Sequence, residues 1–236
     1  MRGLATAMLL LCAAGCDRGP MRDEDVPPEA FPAAHRPVAP IVSSRYSTED
    51  RRDRLGEADA VMAQAGIAPG MTVADIGAGE GYYTIRLAAR VGAEGRVVAQ
   101  DIVPAVRDRL AERVTRENLE NVSVKLGAPA DPKLPAHSFD RVFMVHMYHE
   151  IRRPYEFLWR LRPALTPRGI VVVVEAERPS MAHGMPARQL DCEFRAVGYQ
   201  LVSRQQMPMV DGYLALYAAS DRRPEPAAIT PCLQPD

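Results

Sequence analysis

The sequence predicts a doubly wound α/β domain, in which a mostly parallel sheet carries helices on both faces. Apolar runs of strand length alternate with segments of helical periodicity along most of the chain. One run, IVVVVE, is a continuous β-branched stretch typical of a parallel strand that is buried on both faces. The last two runs are separated only by a short loop, which indicates a hairpin and therefore one antiparallel strand.

The first elements are a helix, a strand and a second helix. A helix is predicted over 48–65, because Ser47 or Thr48 can cap its start and a glycine follows its end. The apolar run at 72–76 predicts a strand. The next helix is predicted over 82–91, where glycines stand on both sides of an amphipathic segment.

The middle of the domain repeats this alternation. A strand is predicted at 96–100, and a helix follows over 104–118 because Pro104 suits a first helical turn. The apolar residues at 122–126 predict the next strand. A loop with two prolines separates it from a strand at 139–145.

The last third adds two helices and three strands. A helix over 154–164 precedes the β-branched strand at 170–175, and a helix over 187–197 ends before a glycine. Strands at 199–205 and 213–219 form the predicted hairpin. This order of elements places helices on both faces of one sheet.

The composition fits one globular domain between two flanking segments. The chain has 236 residues, of which 47% are hydrophobic and 25% are charged. The folded unit is expected over 46–220, behind a proline-rich, poorly ordered tether at 17–45 and ahead of a loosely packed tail at 221–236. The net charge is −1 and no basic block is present, which disfavours a nucleic-acid partner.

The first residues, MRGLATAMLLLCAAGC, have the layout of a secretory signal, because an arginine precedes an apolar run that ends in small residues. The end of this stretch resembles a bacterial lipoprotein processing box. The resemblance implies a signal over 1–16, a lipidated Cys16 and a membrane-anchored chain that faces the periplasm. If Met21 is the true start, the protein is instead cytoplasmic.

Two cysteines lie outside this stretch. Cys192 and Cys232 could form a disulfide in an oxidising compartment. We expect instead a buried Cys192 and a free Cys232 in the tail.

A glycine-rich turn follows the first strand in VADIGAGEGYYT. Gly77, Gly79 and Gly81 alternate behind Asp75, so the backbone can bend sharply and approach a ligand closely. The N–H groups that open the next helix would face an anion. A dinucleotide site would need glycine or alanine where Tyr82 stands, and a phosphate-binding P-loop would need a lysine that this turn lacks.

The pattern D-x-G-x-G-x-G resembles motif I of the class I S-adenosylmethionine-dependent methyltransferases, and the resemblance extends from about residue 51 to residue 219. It implies the seven-stranded, Rossmann-like sheet of that family with an antiparallel last strand. It also implies S-adenosylmethionine as the cofactor, with Asp75 orienting its amino end directly or through water. The turn that accepts the methionine carboxylate would consist of Gly77, Ala78, Gly79 and Gly81.

Two later segments complete the implied cofactor site. In VVAQDIVP, Asp101 would accept hydrogen bonds from both ribose hydroxyls, and Ile102 would lie against the adenine. Asp101 could instead cap the helix that begins at Pro104. In LGAPAD, many relatives have an acid where this chain has alanine, so only the region is carried over. The remaining implied cofactor residues are Gly127, Ala128, Asp131 and Val145.

The stretch HMYHE follows the fourth strand and supplies the catalytic candidates. His149 could take a proton from the acceptor, Tyr148 could position the acceptor or face the sulfonium, and His146 is the third candidate. His146 and His149 could also form a metal pair, but no third ligand has suitable spacing, so no metal is predicted. Alternatively, these side chains only bond nearby carbonyl groups.

Three stretches, PGMTVADIGAGEGYYTIRLA, HMYHEI and LRPALTPRGIVVVVE, resemble small-molecule methyltransferases akin to the quinone-biosynthesis C-methyltransferases. The resemblance implies in-line methyl transfer to a small-molecule acceptor. A protein or RNA methyltransferase is an alternative, which would need an extended basic or peptide-binding groove. A third possibility is a cofactor-binding envelope lipoprotein without turnover, because S-adenosylmethionine is made in the cytoplasm and the signal directs the chain outward.

Overall fold

The computed structural model describes residues 23–41 and 48–233. The predicted signal over 1–16 with Cys16, the alternative start Met21 and the capping candidate Ser47 lie outside the described residues. Among the helices described, none combines the length and apolarity required to cross a bilayer.

Seven strands form one sheet in the order β3-β2-β1-β4-β5-β7-β6. The strand pairs from β3 to β5 are parallel, and β7 runs antiparallel between β5 and β6. This arrangement confirms the predicted fold class. The strands are β1 Thr72–Ile76, β2 Arg96–Asp101, β3 Val122–Leu126, β4 Phe139–Val145, β5 Leu165–Ala176, β6 Tyr199–Met207 and β7 Gly212–Ala219.

Helices cover both faces of the sheet, and two apolar clusters lie between the layers. One cluster joins Val142 and Val171 of the sheet to Leu158 and Phe194. The other cluster joins the opposite face of the same strands to helices near the N-terminus. Val171 and Val173 of β5 lie in one cluster and Val172 and Val174 in the other, and burial on both faces explains the continuous valine run of this strand. The helices are α1 Glu49–Arg54, α2 Glu57–Gln64, α3 Tyr82–Val91, α4 Pro104–Arg116, α5 Pro154–Leu161 and α6 Ala187–Ala196.

The order of the strands reverses at β1, which lies between β2 and β4. Connections after β1 and β4 therefore lead away in opposite directions, and a crevice opens at the carboxyl ends of these strands. Asp75 of β1 pairs with Ala99 of β2 on one side and with Phe143 of β4 on the other. The glycine-rich turn and the HMYHE stretch consequently lie side by side.

The predicted helix over 48–65 is wrong as a single element, because the structure contains two shorter helices. Thr48 caps α1 by accepting a hydrogen bond from the backbone N–H of Arg51 at 3.4 Å. Gly56 then adopts a left-handed conformation with φ +64°, which interrupts the helical path before α2. Arg52 of α1 lines the crevice.

The segment at 23–41 differs from the predicted poorly ordered tether, because it packs against the domain. Val26 and Phe31 are buried, and the Phe31 ring lies 5.4 Å from the ring of Trp159. The buried Arg36 guanidinium contacts Glu193 of α6 at 2.8 Å, and it also donates to the carbonyl of Ile151 at 3.2 Å. These apolar residues have no helical or strand period, so the sequence pattern did not indicate their burial.

The tail also packs more closely than predicted. Cys232 forms a disulfide with Cys192 of α6, which corrects the expectation of a free Cys232. The backbone N–H of Cys232 donates to the hydroxyl of Tyr155 at 2.7 Å, and the indole N–H of Trp159 donates to the carbonyl of Pro224 at 3.0 Å. The disulfide requires proximity across 40 residues of sequence, which only the folded chain creates.

Candidate active site

A cavity of about 290 Å³ opens at the carboxyl ends of β1, β2 and β4. We call it the first cavity. Its walls come from the glycine-rich turn, the end of β2, the loop after β3 and the HMYHE stretch. The predicted site residues that line it are Gly77, Ala78, Gly79, Asp101, Ile102, Ala128, Val145 and His146.

The glycine-rich turn comes directly after β1 and brings main chain to the cavity wall. Gly77 and Gly79 have φ of +66° and +57°, a region that side chains with a Cβ rarely adopt. A Cβ at Gly77 would approach the side chain of Met147 to 3.0 Å. The backbone N–H of Ala78 donates to the carbonyl of Gln100 at 3.0 Å, which ties the turn to β2.

Asp75 and Gly81 lie behind this wall and do not line the first cavity. The Asp75 carboxylate accepts a hydrogen bond from the hydroxyl of Thr84 in α3 at 2.6 Å. Burial raises the pKa of Asp75 to about 6. A Cβ at Gly81 would lie 2.5 Å from the side chain of Leu110, so this glycine allows close packing of α4. Both residues therefore support the turn from behind.

Asp101 ends β2 and joins the turn to the cavity. One carboxylate oxygen accepts from the backbone N–H of Gly79 at 3.1 Å, and the other accepts from the N–H of Val103 at 2.9 Å. Each oxygen still has a lone pair for a second donor, because a carboxylate offers about four acceptor positions. Val103 is the N-cap residue of α4 and no side chain caps this helix, so Asp101 is not its cap, and it lines the first cavity.

Gln100, which the sequence analysis did not select, lines the first cavity beside Asp101. Its side chain is 1% exposed, and both of its polar atoms lack a hydrogen-bond partner among the described residues. An amide buried in this way costs free energy unless a ligand supplies partners. A Cβ at Gly127 would lie 1.4 Å from the Gln100 amide nitrogen, so Gly127 makes room for this side chain.

The loop after β3 supplies only some of the cofactor residues that the resemblance implied. Ala128 lines the first cavity, as does Pro129. Asp131 does not, because its carboxylate accepts from the backbone N–H of Lys133 at 2.8 Å and closes a local turn. The predicted contribution of Asp131 to the cofactor site is therefore not supported by its position, and Gln100 is the polar side chain found beside Ala128.

A second cavity of about 510 Å³ adjoins the first cavity. Arg52, His146 and Glu150 line both cavities, so these three residues mark the boundary between them. His146 lies directly after β4 with φ +56°, a strained backbone conformation that turns its ring toward the boundary. The predicted candidate His146 is therefore placed at the boundary between the two cavities.

Charged groups surround His146. Its Nε2 atom lies 3.4 Å from a carboxylate oxygen of Glu57, which Arg52 also contacts at 2.6 Å. Burial lowers the pKa of His146 below its ordinary value of 6.5. Burial alone would raise the pKa of Glu57, but the adjacent His146 and Arg52 lower it to about 2. At neutral pH the imidazole is therefore uncharged and able to accept a proton.

Tyr148 and His149 do not line the first cavity, so the Tyr148 ring is not placed to face a sulfonium there. Tyr148 is fully buried, and its hydroxyl donates to Glu193 at 2.7 Å. Burial raises the pKa of Tyr148 well above its ordinary value, so the hydroxyl stays protonated. The His149 ring contacts Glu175 and faces the second cavity. The chain turns sharply after His146, which sends these side chains away from the first cavity.

Residues 73–169 match the family model described as a methyltransferase domain. This match identifies a methyltransferase domain within the chain, and the seven-stranded sheet is the fold of a solved S-adenosylmethionine-dependent methyltransferase. The match begins in β1, includes the glycine-rich turn and ends within β5. The domain and its fold imply S-adenosylmethionine as the cofactor.

Curated relatives include methyltransferases that act on different compounds. Over 75 residues, the chain is 48% identical to the nocamycin O-methyltransferase of Saccharothrix syringae, covering 31% of this chain and 26% of the relative. Over 150 residues, it is 26% identical to a ubiquinone/menaquinone biosynthesis C-methyltransferase of Coxiella burnetii, covering 62% and 56% of the two chains. The chain thus spans about a quarter to a little over half of the length of these relatives.

Solved structures share the fold at low sequence identity. An S-adenosylmethionine-dependent methyltransferase from Aquifex aeolicus is 24% identical with a TM-score of 0.65, and the match covers 70% of this chain and 90% of that one. The cyclase SpnF is 18% identical with a TM-score of 0.60, covering 79% and 86%. Because proteins with different named activities share this fold, the reaction has to be argued from the site.

The residues at the first cavity fit S-adenosylmethionine. The exposed backbone of the glycine-rich turn suits the carboxylate, and Asp101 has acceptor positions for ribose hydroxyls. The orphaned amide of Gln100 offers both a donor and an acceptor to the nucleoside. When bound, this cofactor supplies a methyl group that its own positive charge already activates. The chain then has to position an acceptor and exclude water.

Proposed function

We propose that this protein transfers a methyl group from S-adenosylmethionine to a small-molecule acceptor, which binds in the second cavity. One observation carries the proposal: the two cavities meet at His146, Arg52 and Glu150. A cofactor in the first cavity and an acceptor in the second would approach each other at this boundary. In-line transfer needs such an approach, since much of the rate comes from holding the two reactants in line.

His146 is the residue that we assign to proton removal from the acceptor. It is the predicted catalytic candidate whose side chain lines both cavities, and burial lowers the pKa of its imidazole. Glu57 contacts the Nε2 side of the ring and stabilises the charge that appears on proton transfer. Tyr148 lines neither cavity and His149 lines only the second, so among the three candidates only His146 lies at the boundary.

The size and charge of the site favour a small acceptor over a macromolecular one. The second cavity is bounded by Arg178 and His183 on one side and by Met209 and Val210 on the other. The net charge of −1 supplies no broad basic surface for RNA. The nocamycin and quinone methyltransferases among the relatives support the same class of acceptor.

Calorimetric titration with S-adenosylmethionine and S-adenosylhomocysteine tests the cofactor part of the proposal. Gly77→Val is expected to weaken binding by about 100-fold or more, because its side chain enters the wall beside Met147. Gly70→Val is the matched control, since Gly70 also has a left-handed φ of +84° but has open space around its Cβ position. Equal affinity of the Gly77 and Gly70 variants would contradict the placement of the cofactor.

Methyl-labelled cofactor with fractionated small-molecule extracts tests the acceptor part. Label transfer to a small compound, lost in His146→Gln with cofactor affinity retained, would support the proposal. Cofactor binding without transfer to any extract, peptide or RNA would favour a cofactor-binding protein without turnover. Transfer to protein or RNA alone would favour the macromolecular alternative.

We also propose that the protein is exported and lipid-anchored at Cys16. The disulfide between Cys192 and Cys232 supports this location, because such bonds persist mainly in oxidising compartments. Membrane fractionation with peptide mapping of the mature N-terminus tests it. A mature chain that begins at Met21 in the cytoplasmic fraction would contradict the proposal, and it would remove the conflict with the cytoplasmic source of the cofactor.

A further inference from the structure

Two histidines and a glutamate converge in the second cavity. A ring nitrogen of His149, a ring nitrogen of His183 and a carboxylate oxygen of Glu150 all lie within 4.8 Å of one another. The two imidazole rings are nearly perpendicular, with centroids 5.5 Å apart. All three side chains line the cavity, so a solvent-borne ion can reach them. The cluster therefore has donor atoms and access, the first requirements of a metal site.

His149 is held in a fixed orientation by a buried carboxylate. Its Nδ1 atom lies 2.9 Å from one oxygen of Glu175 and 3.1 Å from the other. His149 is 1% exposed and Glu175 is 0% exposed. Because Nδ1 is engaged, Nε2 is the ring nitrogen left for a ligand. A carboxylate behind a histidine is the arrangement that orients metal-bound imidazoles and increases their basicity.

His183 reaches the cluster from a different part of the chain. It follows β5, in the turn that precedes α6, and has φ +56°. Its carbonyl oxygen accepts hydrogen bonds from the Arg178 guanidinium at 3.3 Å, which holds this strained turn. His183 is 34 positions beyond His149 in the sequence, so spacing along the chain did not identify it as the third ligand.

We propose that His149, His183 and Glu150 bind a divalent transition-metal ion of the zinc type. Two imidazoles and one carboxylate form a ligand set typical of open sites, in which remaining positions bind water or a substrate oxygen. Glu150 also lines the first cavity, so an acceptor oxygen on this ion lies near the boundary between the cavities. Metal binding itself does not depend on the proposed methyl transfer.

The test uses the full chain, freed of metals with a chelator and without a polyhistidine tag, titrated calorimetrically with zinc chloride. We expect one ion per chain. Glu150→Gln and His183→Ala should each weaken binding by about 100-fold, and Glu175→Gln should weaken it by roughly 10-fold to 100-fold through the orientation of His149. His137→Asn is the matched control, because it removes an exposed histidine elsewhere and asparagine tolerates its φ of +51°.

Cobalt(II) provides a second readout, since its visible absorption reports the number and type of ligands. A spectrum typical of nitrogen and oxygen ligands, lost in His183→Ala, is the expected result. The proposal is overturned if the wild-type chain binds no zinc at micromolar concentration, or if Glu150→Gln and His183→Ala both retain wild-type affinity. It is equally overturned if His137→Asn abolishes binding. Glu150→Gln is nearly isosteric, so it keeps the test decisive if His183→Ala does not fold.

Discussion

Asp75 provides a sharp test of the site, because its burial predicts an unusual dependence of stability on pH. Its pKa rises from the ordinary value of 3.8 to about 6 in the folded chain. This change of roughly two units corresponds to about 3 kcal/mol, at about 1.4 kcal/mol per unit. A raised pKa contributes stability that is complete below the unfolded pKa and is lost as the pH rises through the folded pKa.

The perturbation is Asp75→Asn, which keeps an oxygen to accept the Thr84 hydroxyl but does not titrate. We expect the free energy of unfolding of the variant, minus that of the wild type, to increase by about 2–3 kcal/mol between about pH 4 and about pH 8. The pH-independent cost of the substitution cancels in this comparison. Thr84→Val as a single variant should lose more stability than the wild type as the pH rises through the pKa of Asp75. The reason is that the Thr84 hydrogen bond lowers this pKa.

The assay is urea unfolding, followed by the fluorescence of the single tryptophan, Trp159, at a series of pH values. Other titrating groups are common to both proteins and affect both curves alike. A difference that stays constant with pH would refute the reasoning, since Asp75 would then ionise as it does in the unfolded chain. A difference that decreases with pH would show that its folded pKa is lowered.

Three further predictions concern the segment before the domain, the disulfide and the catalytic histidine. Arg36→Ala should lower the free energy of unfolding by about 3–5 kcal/mol in urea titrations, because it leaves Glu193 buried without its cation. A loss below about 1 kcal/mol would argue against tight packing of the segment at 23–41. The double variant Cys192→Ser with Cys232→Ser should lower the free energy of unfolding by about 4 kcal/mol, as expected for a cross-link over 40 residues. If the variant and the wild type unfold alike under oxidising conditions, the disulfide is not formed. His146→Gln should reduce kcat by about 100-fold or more with little change in cofactor affinity. Wild-type turnover should decline as the pH falls through the lowered pKa of His146, and a variant with the same acidic limb would exclude this residue as the base.

Most of the fold could be predicted from the sequence, because apolar runs and helical periodicity coincide with the strands and helices of the structure. The predicted strands at 72–76, 122–126 and 139–145 have the bounds that the structure shows. Two errors have different causes. The left-handed conformation of Gly56 interrupts the first helix. Pairing of Leu165 with Phe139, which is a long-range contact, extends β5 beyond its apolar run.

The candidate site was predictable where backbone geometry requires a residue type. Gly77 and Gly79 have positive φ and face the cavity, and Asp101 lies at the end of β2 as its sequence position indicated. Gln100 has no comparable signal, because a glutamine at a strand end is unremarkable until its amide is found buried without a partner. Tyr148 lies buried away from both cavities and His149 lines only the second cavity, because consecutive side chains take different directions after a sharp turn.

By itself the sequence determined the class of fold and the position of the glycine-rich turn, since these depend on local periodicity and on backbone freedom at glycine. The cofactor was implied by the resemblance of this turn to a methyltransferase motif. Only the tertiary structure decided which of the two histidines and the tyrosine after β4 lines the first cavity. It also decided that Cys192 meets Cys232 and that His183 joins His149. The physical reason is that burial and distance between remote segments arise from packing, and neither is encoded in the spacing of residues along the chain.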